Sequence, residues 1–317
     1  MSHSRFQEHL HAYLSVREAL GFQMRAERTL LQDFVRFVDT CGQVGPIRAQ
    51  WAVDWACATS AQRGTGGAAH RLSMTRGFLS YLQALLPDTE VPDHGLIAAF
   101  RRPTPYLLTP QQITALLHAA QQLGPHGALR PHTVSTVIGL LASTGLRIGE
   151  ALRLMITDVR LEETPPHLHI RETKFHKSRF VPLHATTAAQ IRRYTALRTA
   201  LRSDALTDAF FVSEQGHALT YDVMRTCFAQ LCRQLGLAPT ERGRRPSLHA
   251  LRHAFAIERI RCWYQEGADV QALLPHLSVY LGHVRPQESY WYLTATPELL
   301  SAAAARFQHY AAQGEDL

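Results

Sequence analysis

Hydrophobic residues recur at helical spacing in four stretches of the first 100 residues of this 317-residue chain. In the second stretch, for example, Leu30, Phe34 and Phe37 would lie on one face of a helix. Glycine and proline separate the stretches, and a glycine-rich segment at 64–67 predicts a break before the fourth. We predict helices from residue 6 to about 21, over about 25–41, through 51–56, and from after residue 67 to just before Pro87. Four amphipathic helices of this kind favour a small helical bundle.

A proline-rich stretch at 87–108 follows this bundle. We assign residues 1–100 to a helical N-terminal domain and 101–108 to an extended linker. The sequence from Thr109 to Gln112 then predicts the start of a helix. Threonine is a good N-cap, proline suits the first helical position, and glutamine at the third completes a capping box. A second domain therefore covers residues 109–317.

The second domain combines helices with short strands. Helical patterns cover about 109–123, 131–143 and 147–154, and the chain is mostly helical again from about 186. Residues 157–183 differ, because polar and apolar residues alternate from His167 to Ile170 and an apolar pair follows at Phe180 and Val181. The predicted fold class is therefore mainly α (α+β), with a helical bundle followed by a mostly helical domain that contains a small antiparallel β-sheet.

Composition excludes several classes of protein. Hydrophobic residues make up 46% and charged residues 19% of the chain, which is typical of a globular protein and not of a disordered one. No apolar run approaches the ~18 residues needed to span a bilayer, so no membrane association is expected. The five cysteines show no CxxC spacing, which disfavours a disulfide framework and a structural zinc site. We expect a cytoplasmic protein.

Positive charge is concentrated in the second domain. Residues 1–100 contain nine basic and nine acidic residues, whereas the remainder contains 24 basic and 17 acidic residues and so carries the whole net charge of +7. An excess of this size is compatible with a polyanionic partner such as DNA. The chain has 31 arginines but only two lysines, Lys174 and Lys177. Lysine, unlike arginine, can release a proton, so these two positions are candidates for acid–base chemistry.

Five segments of the second domain carry residues suited to chemistry at a phosphate. They are Thr144-Gly-Leu-Arg147-Ile-Gly-Glu150, Thr173-Lys174 with the following residues to Val181-Pro-Leu183, His249-Ala-Leu-Arg252-His253, Leu281-Gly-His283, and Tyr290-Trp-Tyr292. In this order, with a tyrosine nine residues beyond the last histidine, they resemble the tyrosine recombinase (phage integrase) family. The helical N-terminal domain is similar in pattern to the core-binding domain of that family.

The resemblance implies an activity and a site. The activity is site-specific DNA recombination through a 3′-phosphotyrosyl intermediate, with no metal, cofactor or ATP. The implied catalytic residues are Arg147, Lys174, His249, Arg252, His283 and Tyr292. Glu150 matches an acidic position of the family, and its spacing of three residues from Arg147 allows it to orient that arginine.

The residues themselves suit this chemistry. A tyrosine hydroxyl has a pKa of ~10, so the site must help Tyr292 to lose its proton, and either His249 or His283 could accept it. Arg147 and Arg252 can each present a planar fork of donors to the phosphate oxygens and stabilise the transition state. Lys174 can protonate the departing 5′ oxygen.

Several assignments have alternatives. Lys177 is the second candidate for the general acid, and otherwise contacts the DNA backbone. Tyr290 is the alternative nucleophile. Because it is two residues from Tyr292, the two side chains would point to different faces of a helix, and the spacing from His283 favours Tyr292. Tyr280 is expected to be a core residue and His253 a buried structural one. The pair His249 and His253 lacks the glutamate of an HExxH motif, so a metal site is not expected.

Further arginines are candidates for DNA contacts. The candidates, besides Lys177, are Arg71 and Arg76 in the first domain and Arg242, Arg244 and Arg245 before the HALRH motif. We expect the two domains to clamp duplex DNA, and a C-terminal helix at about 298–307 to dock on a neighbouring protomer. The expected assembly is a homotetramer on two DNA sites, associated with the nucleoid through DNA.

Two other functions remain open. A non-catalytic DNA-binding relative could block or assist recombination, although none of the six implied catalytic residues is missing. A relaxing enzyme similar to type IB topoisomerases would use the same chemistry on one duplex as a monomer. Within recombination, the segment from Tyr290 to Pro297 is more similar to integrases of mobile elements than to chromosome-dimer resolvases.

Overall fold

The computed structural model separates into two compact units, Met1–Pro103 and Thr104–Leu317. It describes residues 5–41, 45–58, 65–97, 105–125, 127–171, 178–202, 205–240, 243–283, 287–294 and 304. In these residues no helix is both long and apolar enough to cross a membrane.

The N-terminal unit is built from four helices. They are α1 (Arg5–Ala19), α2 (Arg25–Thr40), α3 (Ala49–Ala58) and α4 (Thr65–Leu85). The predicted hydrophobic faces meet in one core, where α4 packs against the other three helices. Phe34 and Phe78 are fully buried, and the ring of Phe34 meets that of Trp55 edge-on at 5.2 Å between centroids. The helical bundle predicted from the hydrophobic pattern is confirmed.

The predicted break at 64–67 lies in the wrong place. Helix α4 begins at Thr65, so Gly66 and Gly67 belong to its first turn. The backbone N–H groups of the first helical turn have no hydrogen-bond partner inside the helix. A glycine therefore destabilises the first turn less than it would destabilise the middle of the helix.

The C-terminal unit contains most of the helices. They are α5 (Pro110–Gln121), α6 (Leu129–Thr144), α7 (Ile148–Leu152), α8 (Ala185–Leu201), α9 (Tyr221–Gln234), α10 (Leu248–Gln265), α11 (Val270–Leu281) and α12 (Gln287–Tyr290), with short 3₁₀ helices at Ile156–Asp158 and Trp291–Thr294. The capping box predicted at the start of α5 is present. The backbone N–H of Gln112 donates to the side-chain oxygen of Thr109, and the backbone N–H of Thr109 donates to the side-chain oxygen of Gln112.

A three-stranded antiparallel sheet interrupts the helices, as predicted. The strands are β1 (Val159–Arg160), β2 (His167–Ile170) and β3 (Arg179–Pro182), in that spatial order. Leu168 pairs with Val181, and Ile170 pairs with Arg179. Leu168, Ile170 and Val181 are buried, because alternate residues of a strand face the same side of the sheet.

The core of this unit surrounds α6. Val134, Val137, Ile138 and Leu141 of that helix are buried in one cluster with the inner face of the sheet. Helices α5, α8 and α10 pack against α6. This packing fixes the C-terminal end of α6, from which the first candidate catalytic segment begins.

Candidate active site

Arg147 lies in the turn between α6 and α7. Helix α6 ends at Thr144 and is followed by Gly145, whose φ of 63° is left-handed and favours glycine. The Arg147 guanidinium donates from Nη1 to Oε1 of Glu150 at 3.0 Å and from Nη2 to the carbonyl of Gly282 at 3.1 Å. The backbone N–H of Arg147 also donates to Glu150, at 3.0 Å. Glu150 therefore holds Arg147 at both main chain and side chain, in the contact that its spacing predicted.

Glu150 has a second partner that the sequence did not indicate. Arg179 of β3 donates from Nη2 to Oε2 at 2.8 Å and from Nη1 to Oε1 at 3.2 Å, and its Nε donates to the carbonyl of Tyr280. Burial alone would raise the pKa of the Glu150 carboxyl, but the hydrogen bonds and charges of Arg179 and Arg147 outweigh it and lower that pKa. Glu150 is therefore an ionised, buried carboxylate between two arginines.

Arg252, on the first turns of α10, joins the same region from inside the domain. It is only 1% exposed, and its guanidinium donates to the carbonyls of Gly145 and Leu281, both at 2.8 Å. Burial, and next the charge of Arg147, lower the pKa of Arg252 to about 10, while Tyr292 and Glu150 act to raise it. Arg252 thus stays protonated near neutral pH and links the turn before α7 to the end of α11.

His283 follows the turn that ends α11. Gly282 has a φ of 69°, and the backbone N–H of His283 donates to the carbonyl of Ser278 at 2.9 Å. A hydrogen bond of 2.7 Å joins Nδ1 of His283 to Oγ of Ser289, and one of 2.5 Å joins that oxygen to Oγ of Ser278. The imidazole is therefore fixed on one side by a buried pair of serines.

Tyr292 packs on this histidine. Its ring is nearly parallel to that of His283, at 13° and 6.2 Å between centroids, and it also contacts the rings of His253 and Trp291. Tyr292 is 2% exposed, whereas Tyr290 is 49% exposed. Of the two tyrosines, Tyr292 is therefore the one that stacks on His283.

The other aromatic candidates are structural. Tyr280 stacks on Phe255 at 5.7 Å between centroids, and burial raises the pKa of its hydroxyl to about 12. His253 is buried between the rings of His249 and Tyr292. His249 itself is exposed on the first turn of α10. Tyr280 and His253 thus both pack against neighbouring rings.

The remaining candidate residues are described only in part. Lys174, Lys177, Arg242 and the segment at 298–307, apart from Ala304, are outside the described residues. Arg244 and Arg245 are exposed in the loop before α10. In the N-terminal unit, Arg71 lies over the ring of Trp55 at 5.3 Å, and Arg76 donates to the carbonyls of Pro92 and Asp93.

The described site combines a buried hydroxyl with an excess of positive charge. Arg147, Arg179 and Arg252 surround one carboxylate, Glu150, so the cluster favours an additional anion. A phosphodiester is such an anion, and a tyrosine hydroxyl, such as that of the Tyr292 ring stacked on His283, is chemically able to attack one.

The family model described as the phage integrase family matches residues 107–298. This range holds all six implied catalytic residues and most of the chain. The chain belongs to the phage integrase family. It is a tyrosine recombinase, and the resemblance inferred from five sequence motifs is confirmed.

Known proteins agree with this membership. The chain is 38% identical to a putative integrase/recombinase y4rB of Sinorhizobium fredii over 312 residues, which cover 96% of this chain and 98% of the relative. The XerH recombinase in a post-cleavage complex with difH DNA has a similar fold, with a TM-score of 0.69 and 19% identity over 93% of this chain and 83% of that one. A lambda integrase tetramer bound to a Holliday junction also has a similar fold. Its TM-score is 0.65, with 14% sequence identity, and the match covers 90% of this chain and 76% of that one.

Proposed function

We propose that this tyrosine recombinase breaks DNA by attack of the Tyr292 hydroxyl on a backbone phosphodiester. The bond from phosphorus to the 5′ oxygen breaks as the bond from phosphorus to the tyrosine oxygen forms, which leaves a 3′-phosphotyrosyl link and a free 5′ hydroxyl. A 5′ hydroxyl of another strand then attacks the link and releases Tyr292. The observation that carries the proposal is the packing of Tyr292 on His283 beside Arg147 and Arg252.

The arginines supply charge at phosphorus. The side chain of Arg147 is 35% exposed, so its guanidinium can meet a non-bridging oxygen directly. Arg252 and Tyr292 are buried in the DNA-free protein. Direct contact of either with a phosphate therefore requires the surrounding turns to move when DNA binds.

Two proton transfers complete the reaction. The phenol of Tyr292 gives its proton to His249 or His283, and Lys174 gives a proton to the departing 5′ oxygen. In the sequence, Lys174 lies between the residues of β2 and β3, five positions before Arg179. Lys177 contacts the phosphate backbone.

DNA is gripped by both domains. Residues 1–100 act as the core-binding domain through Arg71 and Arg76, residues 101–108 act as the linker, and residues 109–317 act as the catalytic domain. Arg242, Arg244 and Arg245 hold phosphates beside the HALRH motif. The exposure of Arg244 and Arg245 supports this role.

The enzyme acts as a tetramer on two DNA sites, with the C-terminal helix of each protomer docked on a neighbour. The similar fold of the lambda integrase tetramer on a Holliday junction supports a tetrameric assembly. The biological role is integration, transposition or resolution for a mobile DNA element, which places the protein on the nucleoid.

A plasmid assay separates recombination from the other two functions. The substrate is a supercoiled plasmid with two copies of the DNA that flanks the coding sequence of this chain, incubated without metal or ATP. Recombination yields deletion or inversion products and a complex of four protomers with two sites. Relaxation without exchange by a single protomer would favour the topoisomerase-like function, and tight binding with neither product would favour the non-catalytic one.

A further inference from the structure

Ser278, Ser289 and His283 form a short hydrogen-bonded chain inside the C-terminal unit. Ser278 is 4% exposed and Ser289 is fully buried, so neither hydroxyl can rely on bulk water. The two oxygens are 2.5 Å apart, and Ser289 lies 2.7 Å from Nδ1 of His283. Among the described residues, neither serine side chain has another hydrogen-bond partner.

The two serine hydroxyl hydrogens decide which atoms donate and which accept in this hydrogen-bonded series. Two hydroxyl hydrogens need acceptors, and a buried hydroxyl hydrogen that lacks one destabilises the folded protein. If Nδ1 is unprotonated, Ser278 donates to Ser289 and Ser289 donates to Nδ1, so both hydrogens are used. If Nδ1 carries a hydrogen, it donates to Ser289, which donates to Ser278, and the Ser278 hydrogen is left without an acceptor in this chain. The first arrangement is therefore favoured.

An unprotonated Nδ1 fixes the other ring nitrogen. The neutral imidazole then carries its hydrogen on Nε2, which makes that atom a donor. A donor at Nε2 can bind a phosphate oxygen but cannot take the proton of the Tyr292 hydroxyl. Of the two histidines able to accept that proton, this leaves His249.

The chain also connects His283 to the nucleophile. Ser278 belongs to α11, whereas Ser289 belongs to α12 and precedes Tyr292 by three residues. The hydrogen bond from Ser289 to Nδ1 exists only while the segment at 287–292 is seated against α11. Withdrawal of the tyrosine would therefore also release the constraint on the imidazole.

We infer that Ser289, supported by Ser278, is a positioning residue that holds His283 with its hydrogen on Nε2 when the Tyr292 segment is seated. The inference rests on the proposed function, because it assigns His283 as a donor to the phosphate in the cleavage reaction. The tautomer itself is a property of the DNA-free protein and can be measured without any reaction.

Nitrogen NMR of the full-length protein labelled with ¹⁵N-histidine tests the tautomer. His283→Gln identifies the resonances of the ring, and spectra are taken well above the ordinary histidine pKa of ~6.5. The wild type should show Nδ1 at the shift of an unprotonated nitrogen and Nε2 at that of a protonated one. In Ser289→Ala both shifts should move toward the values of mixed tautomers, whereas Ser278→Ala should keep them, because Ser289 can still donate to Nδ1. A protonated Nδ1 in the wild type, or unchanged shifts in Ser289→Ala, would overturn the inference.

Cleavage kinetics provide the second readout, with nicked duplexes made from the DNA that flanks the coding sequence. Ser289→Ala should slow covalent adduct formation about tenfold, the lower end of the ~10–100-fold loss seen when a residue that orients a metal-binding histidine is removed. Ser135→Ala is the matched control, since Ser135 is also buried, at 4% exposed, but donates to a carbonyl of its own helix, and it should keep the wild-type rate. Equal rates in the two variants would argue against the positioning role. Absence of adduct from the wild type would instead contradict the proposed function, and the nitrogen shifts would still decide the tautomer.

Discussion

Arg147 depends for its position on a carboxylate that it shares with Arg179. Taking a carboxylate out of water costs several kcal/mol unless partners compensate for the lost hydration, and Glu150 has two guanidinium partners. The sequence predicted the contact with Arg147, because the two residues are three apart. It could not predict Arg179, which is 29 residues from Glu150 and reaches it only through the register of β3.

Replacement of Arg179 should therefore weaken both the fold and the site. Arg179→Met should lower the free energy of unfolding by about 2 kcal/mol, less than the ~3–5 kcal/mol of a fully broken buried pair because Arg147 remains. The control is Arg192→Met, which removes an exposed ion pair with Glu162 and should cost less than about 1 kcal/mol. Urea denaturation measures both changes, and equal losses in the two variants would contradict this role of Arg179.

The pH dependence of this difference has a definite sign. The Glu150 pKa is lowered in the folded protein, so its stabilising contribution is present above the unfolded pKa of ~4.3 and is lost as the pH falls through the folded value. Loss of Arg179 removes the largest of the influences that lower this pKa. The stability gap between wild type and Arg179→Met should thus be largest near neutral pH and should shrink below ~4.3. A gap that stays constant over this range would show that Glu150 is not the partner that matters.

At the scale of elements, local sequence signals predicted the scaffold better than the site. The capping box at Thr109 and the alternation in β2 depend on neighbouring residues, and both are present. The serine chain at His283 depends on two elements meeting in space, so no local pattern indicates it. The turn at Gly282 was predicted only in part. The sequence motif indicated its position, but it did not indicate why a glycine is needed there.

Gly282 should be required for both its conformation and its size. It has a φ of 69°, and a Cβ at this position would lie 2.7 Å from Nη1 of Arg179 and 3.5 Å from Nη1 of Arg147. Gly267 is the matched control, since its φ is 72° and a Cβ there would meet nothing within 4 Å. Gly267→Ala should cost about 1 kcal/mol for the left-handed backbone alone. Gly282→Ala should lower the folding stability more than this and should also slow DNA cleavage. Thermal unfolding and adduct assays would measure the two effects. Equal effects of the two variants would refute the steric argument.

At the scale of the whole molecule, charge separates the two parts of the chain. Residues 1–100 are neutral by sequence, and the net charge of +7 lies in the remainder. This distribution was readable from sequence, since it needs no knowledge of contacts. The surroundings of individual arginines were not readable from sequence: Arg76 donates to two carbonyls of its own domain, whereas Arg244 and Arg245 are exposed.

Binding to DNA should depend strongly on salt concentration, and Arg244 and Arg245 should each contribute to this dependence. The logarithm of the binding constant should fall linearly with the logarithm of salt concentration, with a slope of about −0.9 for each phosphate contact. Arg244→Gln and Arg245→Gln should each make the slope shallower by about 1. Arg225→Gln, an exposed arginine of α9 paired with Asp222, is the control and should leave the slope unchanged. Fluorescence anisotropy at several salt concentrations would show this, and identical slopes for all variants would exclude both arginines as phosphate contacts.

The most direct measurement of the central claim is the identity of the residue that becomes linked to DNA. A nicked duplex from the DNA flanking the coding sequence is incubated with the protein in the presence of a chelator, and the adduct is digested and mapped by mass spectrometry. We predict that the nucleotide is attached to Tyr292, that Tyr292→Phe forms no adduct, and that Tyr290→Phe still forms one. An adduct on Tyr290, or one that persists in Tyr292→Phe, would contradict the assignment of the nucleophile.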